Sequence, residues 1–149
     1  MKYIKESVRS TYQKVFPKAM EYGGNIWVNS KPGKGIILLT KMMLEEYGIN
    51  FNTIMVSSLN PNLLSNLSKH YFNEDCDLYI LDNFRTLNIP TIRQLLLSIS
   101  LSDDRFIIFT TNASDKVKKE IKKYTDIKCI DLDDFNQNVQ IIKKINDFN

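Results

Sequence analysis

The sequence predicts an α/β fold in three layers, with helices on both faces of a parallel sheet of about five strands. Segments typical of strands alternate with segments typical of helices, and such alternation requires crossover connections, which give parallel strands. Two strand segments, over 78–81 and 105–110, are dominated by apolar side chains, as expected for central strands buried on both faces. The 149 residues suit one domain, with an N-terminal helix over 1–22 and an α/β core over 23–149.

Apolar spacing and turn residues define the elements of the first half of the chain. Apolar side chains three and four residues apart indicate a first helix, which Pro17 is expected to break. The pair Gly23–Gly24 ends that helix, and Gly48 suits the left-handed position after the next one. Asn60 followed by Pro61 is typical of a helix start. The predicted elements are a helix over 2–21, a strand over 26–29, a helix over 36–47, a strand over 51–57 and a helix over 60–71.

The second half of the chain continues the same alternation. An apolar strand ends in an acid, and the next helical segment has apolar side chains every three or four residues. Ser114 is expected to cap a short basic helix. The predicted elements are a strand over 78–81, a helix over 89–101, a strand over 105–110, a helix over 114–124, a strand over 127–132 and a helix over 134–148.

Composition excludes several classes of protein. The net charge of +3 and the pI near 8.8 permit nucleic-acid binding without requiring it. Cys76 and Cys129 are too far apart for a disulfide framework or a metal site, so we expect buried free thiols. No apolar run reaches the roughly 18 residues of a membrane span, and the N-terminus lacks the apolar core of a signal peptide. We therefore expect an intracellular, cytoplasmic protein without a membrane partner. The abundance of Asn, Ile and Lys is typical of AT-rich viral, phage or plasmid genomes.

The first strand, the turn after it and the next helix have the order of a phosphate-binding loop. Glycines let such a loop close around an anion, and the helix N-terminus offers free N–H groups. The Walker A pattern is G-x-x-x-x-G-K-[ST]. With Gly35 as the second glycine, Ile36 stands for the lysine and Ile37 for the hydroxyl residue. Ser30 then replaces the first glycine. That register departs from the pattern at three positions, and the other register, with Gly33-Lys34 as the Gly–Lys pair, departs at two.

The absence of the Walker lysine and the absence of the hydroxyl residue have different chemical consequences. Without the lysine, the β- and γ-phosphates lose their main cation, and without the hydroxyl, Mg²⁺ loses a protein ligand. Lys31 or Lys34 could supply a cation from within the loop, since lysine is a flexible point charge. Three interpretations stay open: a degenerate loop that does not support hydrolysis, a nucleotide or anion site with a substitute lysine, and an ordinary turn. The nucleotide-binding residues, if binding is retained, are Ser30, Lys31, Pro32, Gly33, Lys34, Gly35, Asp82, Asn83 and Asn112.

Polar residues also follow two later strands. Asp82 ends an apolar strand, as does the Mg²⁺-binding acid of a Walker B motif, and Asn83 stands where hydrolysing enzymes have a second acid. Asn112 follows another strand, where a polar sensor residue would lie beside the γ-phosphate. Both have structural alternatives, because buried strands often end in Asp and loop Asn residues often form turns. The carboxyl ends of parallel strands meet at one edge, so we expect the loop, Asp82 and Asn112 to lie together.

The second half of the chain resembles the AAA+ family, and most of all its clamp-loader subunits, replication initiators and helicase loaders. The resemblance rests on Asp82-Asn83, Arg105-Phe106-Ile107 and Thr111-Asn112. It implies a P-loop NTPase topology, with ATP and Mg²⁺ as ligands where a nucleotide is retained and Asp82 as the metal ligand. The chain departs from the family at the arginine finger, where Lys122-Lys123-Tyr124-Thr125 stands, and the helical lid is expected to be absent.

The resemblance implies a catalytically degenerate AAA+-like protein, acting as an interaction or accessory subunit in DNA replication or a related nucleic-acid process. Its expected partners are other AAA+ or replication proteins, and no catalytic residue is predicted. One alternative is a weak ATPase that binds nucleotide through Lys31 or Lys34, and another is a DNA-binding accessory module. Trp27 is expected in the core and His70 at a helix end. The DNA-binding module would use a basic helix that is otherwise a solvated face, with Lys116, Lys118, Lys119, Lys122 and Lys123.

Overall fold

A computed structural model describes residues 2–31, 35–55, 75–82, 89–124 and 126–132. The side chains of residues 2–7 and of Thr91 lie outside this description. So do the predicted helices over 60–71, which includes His70, and over 134–148. The described elements are α1 (Lys2–Tyr22), β1 (Asn25–Ser30), α2 (Ile36–Glu46), β2 (Phe51–Met55), β3 (Leu78–Asp82), α3 (Ile89–Ser100), β4 (Phe106–Thr111), α4 (Asp115–Lys122) and β5 (Ile127–Asp131).

The strands form one parallel, five-stranded sheet in the order β2-β3-β4-β1-β5. The predicted α/β fold with a parallel sheet is therefore confirmed. The chain leaves β1 for β2 at one edge of the sheet, and it returns through β3 and β4 to β5 at the other edge. Connections of the same hand that run in opposite directions along a sheet lie on opposite faces. This path accounts for the placement of the helices.

Of the described helices, two pack on each face of the sheet. α1 and α2 pack on one core, which includes Ile26 and Ile80 from the strands. α3 and α4 pack on the other core, which includes Trp27 and Tyr79. Neighbouring strand residues thus contribute to opposite cores, as the two-residue period of a strand requires. Trp27 is 1% exposed, which confirms its predicted core position.

α1 runs without a break from Lys2 to Tyr22, so the prediction of a break at Pro17 was wrong. A proline inside a helix removes one N–H bond and costs about 3 kcal/mol. Here the buried side chains of Phe16 and Ala19, on either side of Pro17, hold the helix against the sheet. Packing of the helix face therefore overrides the local preference. Over residues 8–22, the buried side chains of α1 are Val8, Tyr12, Val15, Phe16 and Ala19.

Hydrogen bonds also join α1 to its neighbours. The Tyr12 hydroxyl lies 2.6 Å from Thr40 Oγ1, and Thr40 Oγ1 donates to the Ile36 carbonyl oxygen at 2.7 Å. Since the Thr40 hydrogen is committed to Ile36, Tyr12 is the donor of the first bond. Burial raises the pKa of Tyr12 and keeps its hydroxyl neutral. Arg105, just before β4, donates to the Met20 carbonyl oxygen at 2.9 Å. These bonds fix α1 to the first turn of α2 and to the start of β4.

The predicted ends of the described elements agree with the structure, with small differences in their bounds. α1 ends at the Gly23–Gly24 pair, as predicted, and both glycines have positive φ, at 86° and 77°. At Gly24 there is also no room for a side chain, since a Cβ there would lie 2.8 Å from the Asp126 carbonyl oxygen. Gly48 follows α2 with φ 72°, as expected for the residue after a helix.

Candidate functional site

The carboxyl ends of three adjacent strands bring predicted site residues to one edge of the sheet. Ser30 in β1 pairs with Thr111 in β4, and the Asn112 N–H donates to the Ser30 carbonyl oxygen at 3.1 Å. Asp82 ends β3, on the other side of β4. In open parallel sheets, ligands bind at this end where the connections from two adjacent strands diverge. β1 and β4 are such a pair, because α2 and α4 follow them on opposite faces. We call the region of Ser30, Gly35, Asp82, Thr111 and Asn112 the β1–β4 edge.

Three polar residues of this edge share the face of the sheet that α1 and α2 cover. The residues two positions before Ser30, Asp82 and Thr111 all belong to the core beneath these helices. Because strand side chains alternate with a period of two, the three polar residues lie on that same face. Each is half-buried. Adjacent strands are about 4.8 Å apart, so β3 lies about 10 Å from β1, with β4 between them.

The residue before α2, Gly35, has a backbone conformation that glycine adopts more readily than other residues. Gly35 is the N-cap residue, with φ 65° and ψ 24°, in the left-handed region that favours glycine. Its carbonyl oxygen accepts the Leu39 N–H at 3.0 Å. None of the described side chains caps α2 at this end. Lys31 is exposed at the start of the turn, and Pro32, Gly33 and Lys34 lie outside the described residues. The N-terminal N–H groups of α2 therefore face the β1–β4 edge uncapped by any described side chain.

Position 36, where the Walker pattern places its lysine, belongs to the interior. The Ile36 side chain is 3% exposed and packs in the core beneath α1 and α2. Ile37 is half-buried against the same core. A side chain at position 36 is thus directed toward apolar neighbours and supplies no cation to the β1–β4 edge.

Asn112 has the backbone of a turn residue. Its φ is 50°, and it is the one residue other than glycine with positive φ in the part of the chain that the structure describes. Asn adopts this region more readily than most residues, because its short polar side chain can bond locally. Its side chain is exposed at the edge, beside Ser30. The turn-forming role predicted for Asn112 therefore agrees with its backbone, while its role as a sensor stays a prediction.

Sequence reasoning missed a buried polar network on the opposite face of the same edge. Asn29 is its centre and is fully buried. Asn29 Oδ1 accepts hydrogen bonds from Thr110 Oγ1 at 2.9 Å and from the Ala113 N–H at 3.1 Å. Its Nδ2 donates to Asp131 Oδ1 at 3.1 Å. One side chain thus joins β1 to the ends of β4 and β5 and to the turn that precedes α4.

Two further contacts extend the Asn29 network. Trp27 Nε1 donates to Thr110 Oγ1 at 2.7 Å. Lys118 Nζ lies 2.9 Å from Asp131 Oδ2, with the two side chains 22% and 5% exposed. A buried carboxylate needs such partners, because desolvation without them is costly. The available sequence signal was the occurrence of polar Asn29 and Asp131 next to apolar strand residues.

Asn29→Ala is expected to lower the free energy of unfolding by about 3 kcal/mol. The substitution removes one hydrogen-bond partner each from Thr110, the Ala113 N–H and Asp131, and an unsatisfied buried polar group costs about 1–3 kcal/mol. Thermal unfolding should show a drop in Tm of roughly 10 °C for a chain of this size. Asn52→Ala, at a half-buried position on edge strand β2, is the matched control and should change stability by no more than about 0.5 kcal/mol. Equal losses in the two variants would contradict a central role for Asn29.

The predicted basic helix is α4, and its lysines fall into two groups. Ser114 caps the helix, as predicted, by accepting the Val117 N–H at 3.3 Å. Lys118 contacts Asp131 and Lys123 contacts Glu120, so both form ion pairs within the domain. The remaining three are exposed and form no ion pair with any residue in the described ranges: Lys116, Lys119 and Lys122.

Glu120 joins α4 to α3. Its carboxylate accepts from Arg93 Nε at 2.9 Å and from Lys123 Nζ at 3.1 Å. The hydrogen bond from Arg93, followed by that from Lys123, lowers the pKa of Glu120 below its ordinary value. The carboxylate therefore stays ionised at neutral pH and helps to hold the two helices together.

The two cysteines are free thiols, and both are half-buried, so the burial predicted for them is only partial. Burial raises the pKa of Cys129 to about 11, so its thiol is neutral at physiological pH. No group of three or more His, Cys, Asp or Glu side chains in the described segments could hold a metal ion. The described helices include none that is long and apolar enough to cross a membrane.

Comparisons with known proteins do not assign the chain to a family. The sequence matches no family model, and a search of curated proteins gave no match. The resemblance to AAA+ proteins, and the functions that it implies, therefore remain predictions.

Proposed function

We propose that the chain is a P-loop NTPase-like protein of the AAA+ type that has lost hydrolysis and acts as an interaction or accessory subunit. Its partners would be other AAA+ or replication proteins, in DNA replication or a related nucleic-acid process. The packing of Ile36 carries the proposal, because an apolar interior side chain occupies the position of the catalytic cation. A phosphate loop without that cation lacks the main charge that balances the transferred phosphate.

The strand order supports the P-loop part of the proposal. The AAA+ resemblance implies that the sensor residue at the end of its strand lies beside the γ-phosphate. Here β4 pairs directly with β1, and Asn112 follows β4 at the β1–β4 edge. Asp82 ends the next strand on the same face as α2, where a Walker B acid would approach a metal bound at the loop. Asp82, Thr111 and Asn112 thus lie at the β1–β4 edge, whereas Arg105 lies at the opposite end of β4 and Asn83 lies outside the described residues.

The purified protein is expected to show no ATP hydrolysis above the blank in the presence of Mg²⁺. The reason is the absence of the lysine and hydroxyl at positions 36 and 37, together with Asn83 in place of a second acid. Phosphate release should be measured over hours for the wild type and for Asp82→Ala, and the two should be indistinguishable. Turnover that Asp82→Ala abolishes would contradict the proposal, since it would show a working metal site.

The N-terminus of α2 at Gly35 favours a second candidate function, which is nucleotide or anion binding without efficient hydrolysis. The left-handed Gly35 and the uncapped first turn of α2 resemble a phosphate-binding helix terminus. The exposed Lys31, or Lys34, which lies outside the described residues, would then replace the Walker lysine as a point charge. Asp82 would be the protein ligand of a nucleotide-bound Mg²⁺.

Calorimetric titration with Mg²⁺ and ATP tests this second candidate. Binding through the substitute lysines predicts saturable heat that disappears in Lys31→Ala/Lys34→Ala. Arg9→Ala/Lys14→Ala removes the same two charges from exposed positions on α1 and should leave the heat unchanged. A dissociation constant near 1 mM corresponds to about −4 kcal/mol, which sets the range to be searched. Absence of heat at millimolar nucleotide would end this candidate and leave the first one standing.

A further inference from the structure

α4 has few buried apolar side chains. Among the eight residues of α4, all of them described, Ile121 is the one apolar side chain that is buried, and Val117 is half-buried. The other buried residue is Glu120, a carboxylate. A helix with so little apolar burial gains little from the hydrophobic effect. By contrast, α3 on the same face buries Ile92, Leu95, Leu96 and Ile99.

Two ion pairs supply the contacts that α4 otherwise lacks. Lys118 reaches the Asp131 carboxylate in β5 at 2.9 Å, and Glu120 accepts from Arg93 of α3 at 2.9 Å. The acid of each pair is almost completely buried, with 5% and 7% of the side chain exposed. Removing Lys118 would leave the Asp131 carboxylate buried without its cation, which is strongly destabilising, whereas removing Arg93 would leave Glu120 with the exposed Lys123 alone. Breaking either pair is therefore expected to weaken the docking of α4.

We propose that α4 detaches from the sheet as a unit while the rest of the domain stays folded, and that the Lys118–Asp131 and Arg93–Glu120 pairs set how often it does so. Local opening of this kind is expected where a segment has few buried apolar contacts. The proposal concerns the fold itself and holds whether or not the β1–β4 edge binds a nucleotide.

The detachment of α4 is linked to the β1–β4 edge through Asn29. Asn29 Nδ2 contacts Asp131, and its Oδ1 holds the Ala113 N–H in the turn before α4. Asn112 lies in the same turn and is bonded to Ser30. A ligand or partner that fixes this turn would therefore also favour the docked position of α4, and release of α4 would loosen the turn.

Cys129 provides a probe of the detachment. It packs against the same apolar cluster as Val117 and Tyr124, beneath α4. Lys122 of α4 is close enough to act on the Cys129 thiol, lowering its pKa against the larger, opposite effect of burial. The chain has two cysteines, so Cys76→Ser leaves Cys129 as its single thiol. Release of α4 should increase the access of a thiol reagent to Cys129.

The experiment measures the rate of Cys129 labelling by a maleimide at fixed pH in the Cys76→Ser protein. Lys118→Met is expected to accelerate labelling by about tenfold or more, because it breaks a buried pair. Lys119→Met removes an exposed lysine from the same helix and should stay within about twofold of the parent. Loss of a lysine charge does not increase the thiolate fraction, so faster labelling reports greater exposure. Urea unfolding gives the free energy of unfolding of each variant. From it follows the labelling rate expected if Cys129 were exposed only by global unfolding.

Equal labelling rates for Lys118→Met and Lys119→Met would overturn the proposal. So would a rate for Lys118→Met that global unfolding fully explains. Arg93→Met gives an independent test, and it carries the experiment if Lys118→Met does not fold, because the Arg93 side chain is 57% exposed and lies outside the cores. It should accelerate labelling in the same direction. Amide hydrogen exchange over 115–122 should increase with it, while exchange in α2 stays unchanged.

Discussion

Phe16→Ala is expected to lower the free energy of unfolding by about 3–5 kcal/mol, the usual range for an aromatic side chain removed from a core. Phe16 is fully buried on α1, with its ring centroid 5.4 Å from that of Tyr12. Tyr12 is in turn bonded to Thr40 of α2. The cavity would therefore lie between α1, α2 and the sheet. Because these contacts are shared, the loss should affect the whole domain and not α1 alone.

Urea unfolding followed by two probes checks this prediction. Trp27 is the single tryptophan of the chain, and it lies in the core on the opposite face of the sheet from α1. Its fluorescence and the far-UV circular dichroism should lose their native signals in one shared transition, shifted to lower urea in Phe16→Ala. Lys14→Ala, on the exposed side of α1, should unfold as the wild type does. An early circular-dichroism transition that Trp27 does not report would show that α1 is a separate unit.

The strands and the order of the elements could be predicted because local patterns determine them. The segments over 78–81 and 106–109 are apolar throughout, and such runs are buried on both faces in a parallel sheet. Ser114 and Gly48 mark helix ends through backbone chemistry that operates within a few residues. The prediction of a break at Pro17 was wrong because it considered the local cost of proline alone. That cost is local, whereas the packing of Phe16 and Ala19 that offsets it depends on the whole fold.

The β1–β4 edge was predictable only in part. Parallel strands place their carboxyl ends together, so the common location of Ser30, Asp82 and Asn112 followed from the fold class. The Asn29 network did not, because it depends on β5 lying next to β1, which no local pattern specifies. Which lysines of α4 form ion pairs also depends on the position of β5. Lys118 is paired because β5 brings Asp131 beneath the helix.

Ile36→Lys is expected to lower the free energy of unfolding by more than about 3 kcal/mol. The Ile36 side chain is 3% exposed among apolar residues of α1, α2 and the sheet. An ammonium group placed there must either remain charged in a poorly solvated site or lose its proton, and both are costly. Leu38→Lys is the matched control, because Leu38 lies on the same helix turn and is 65% exposed. That variant should stay within about 0.5 kcal/mol of the wild type.

The most direct test of the degenerate loop is to compare these two lysine variants by thermal unfolding and by calorimetric titration with Mg²⁺ and ATP. If position 36 faces the core, Ile36→Lys unfolds roughly 10 °C below Leu38→Lys and gains no heat of nucleotide binding over the wild type. If instead Ile36→Lys is as stable as Leu38→Lys and binds ATP with new, saturable heat, the lysine reaches the loop. That result would contradict the account, because the phosphate site would then need only its missing cation to be restored.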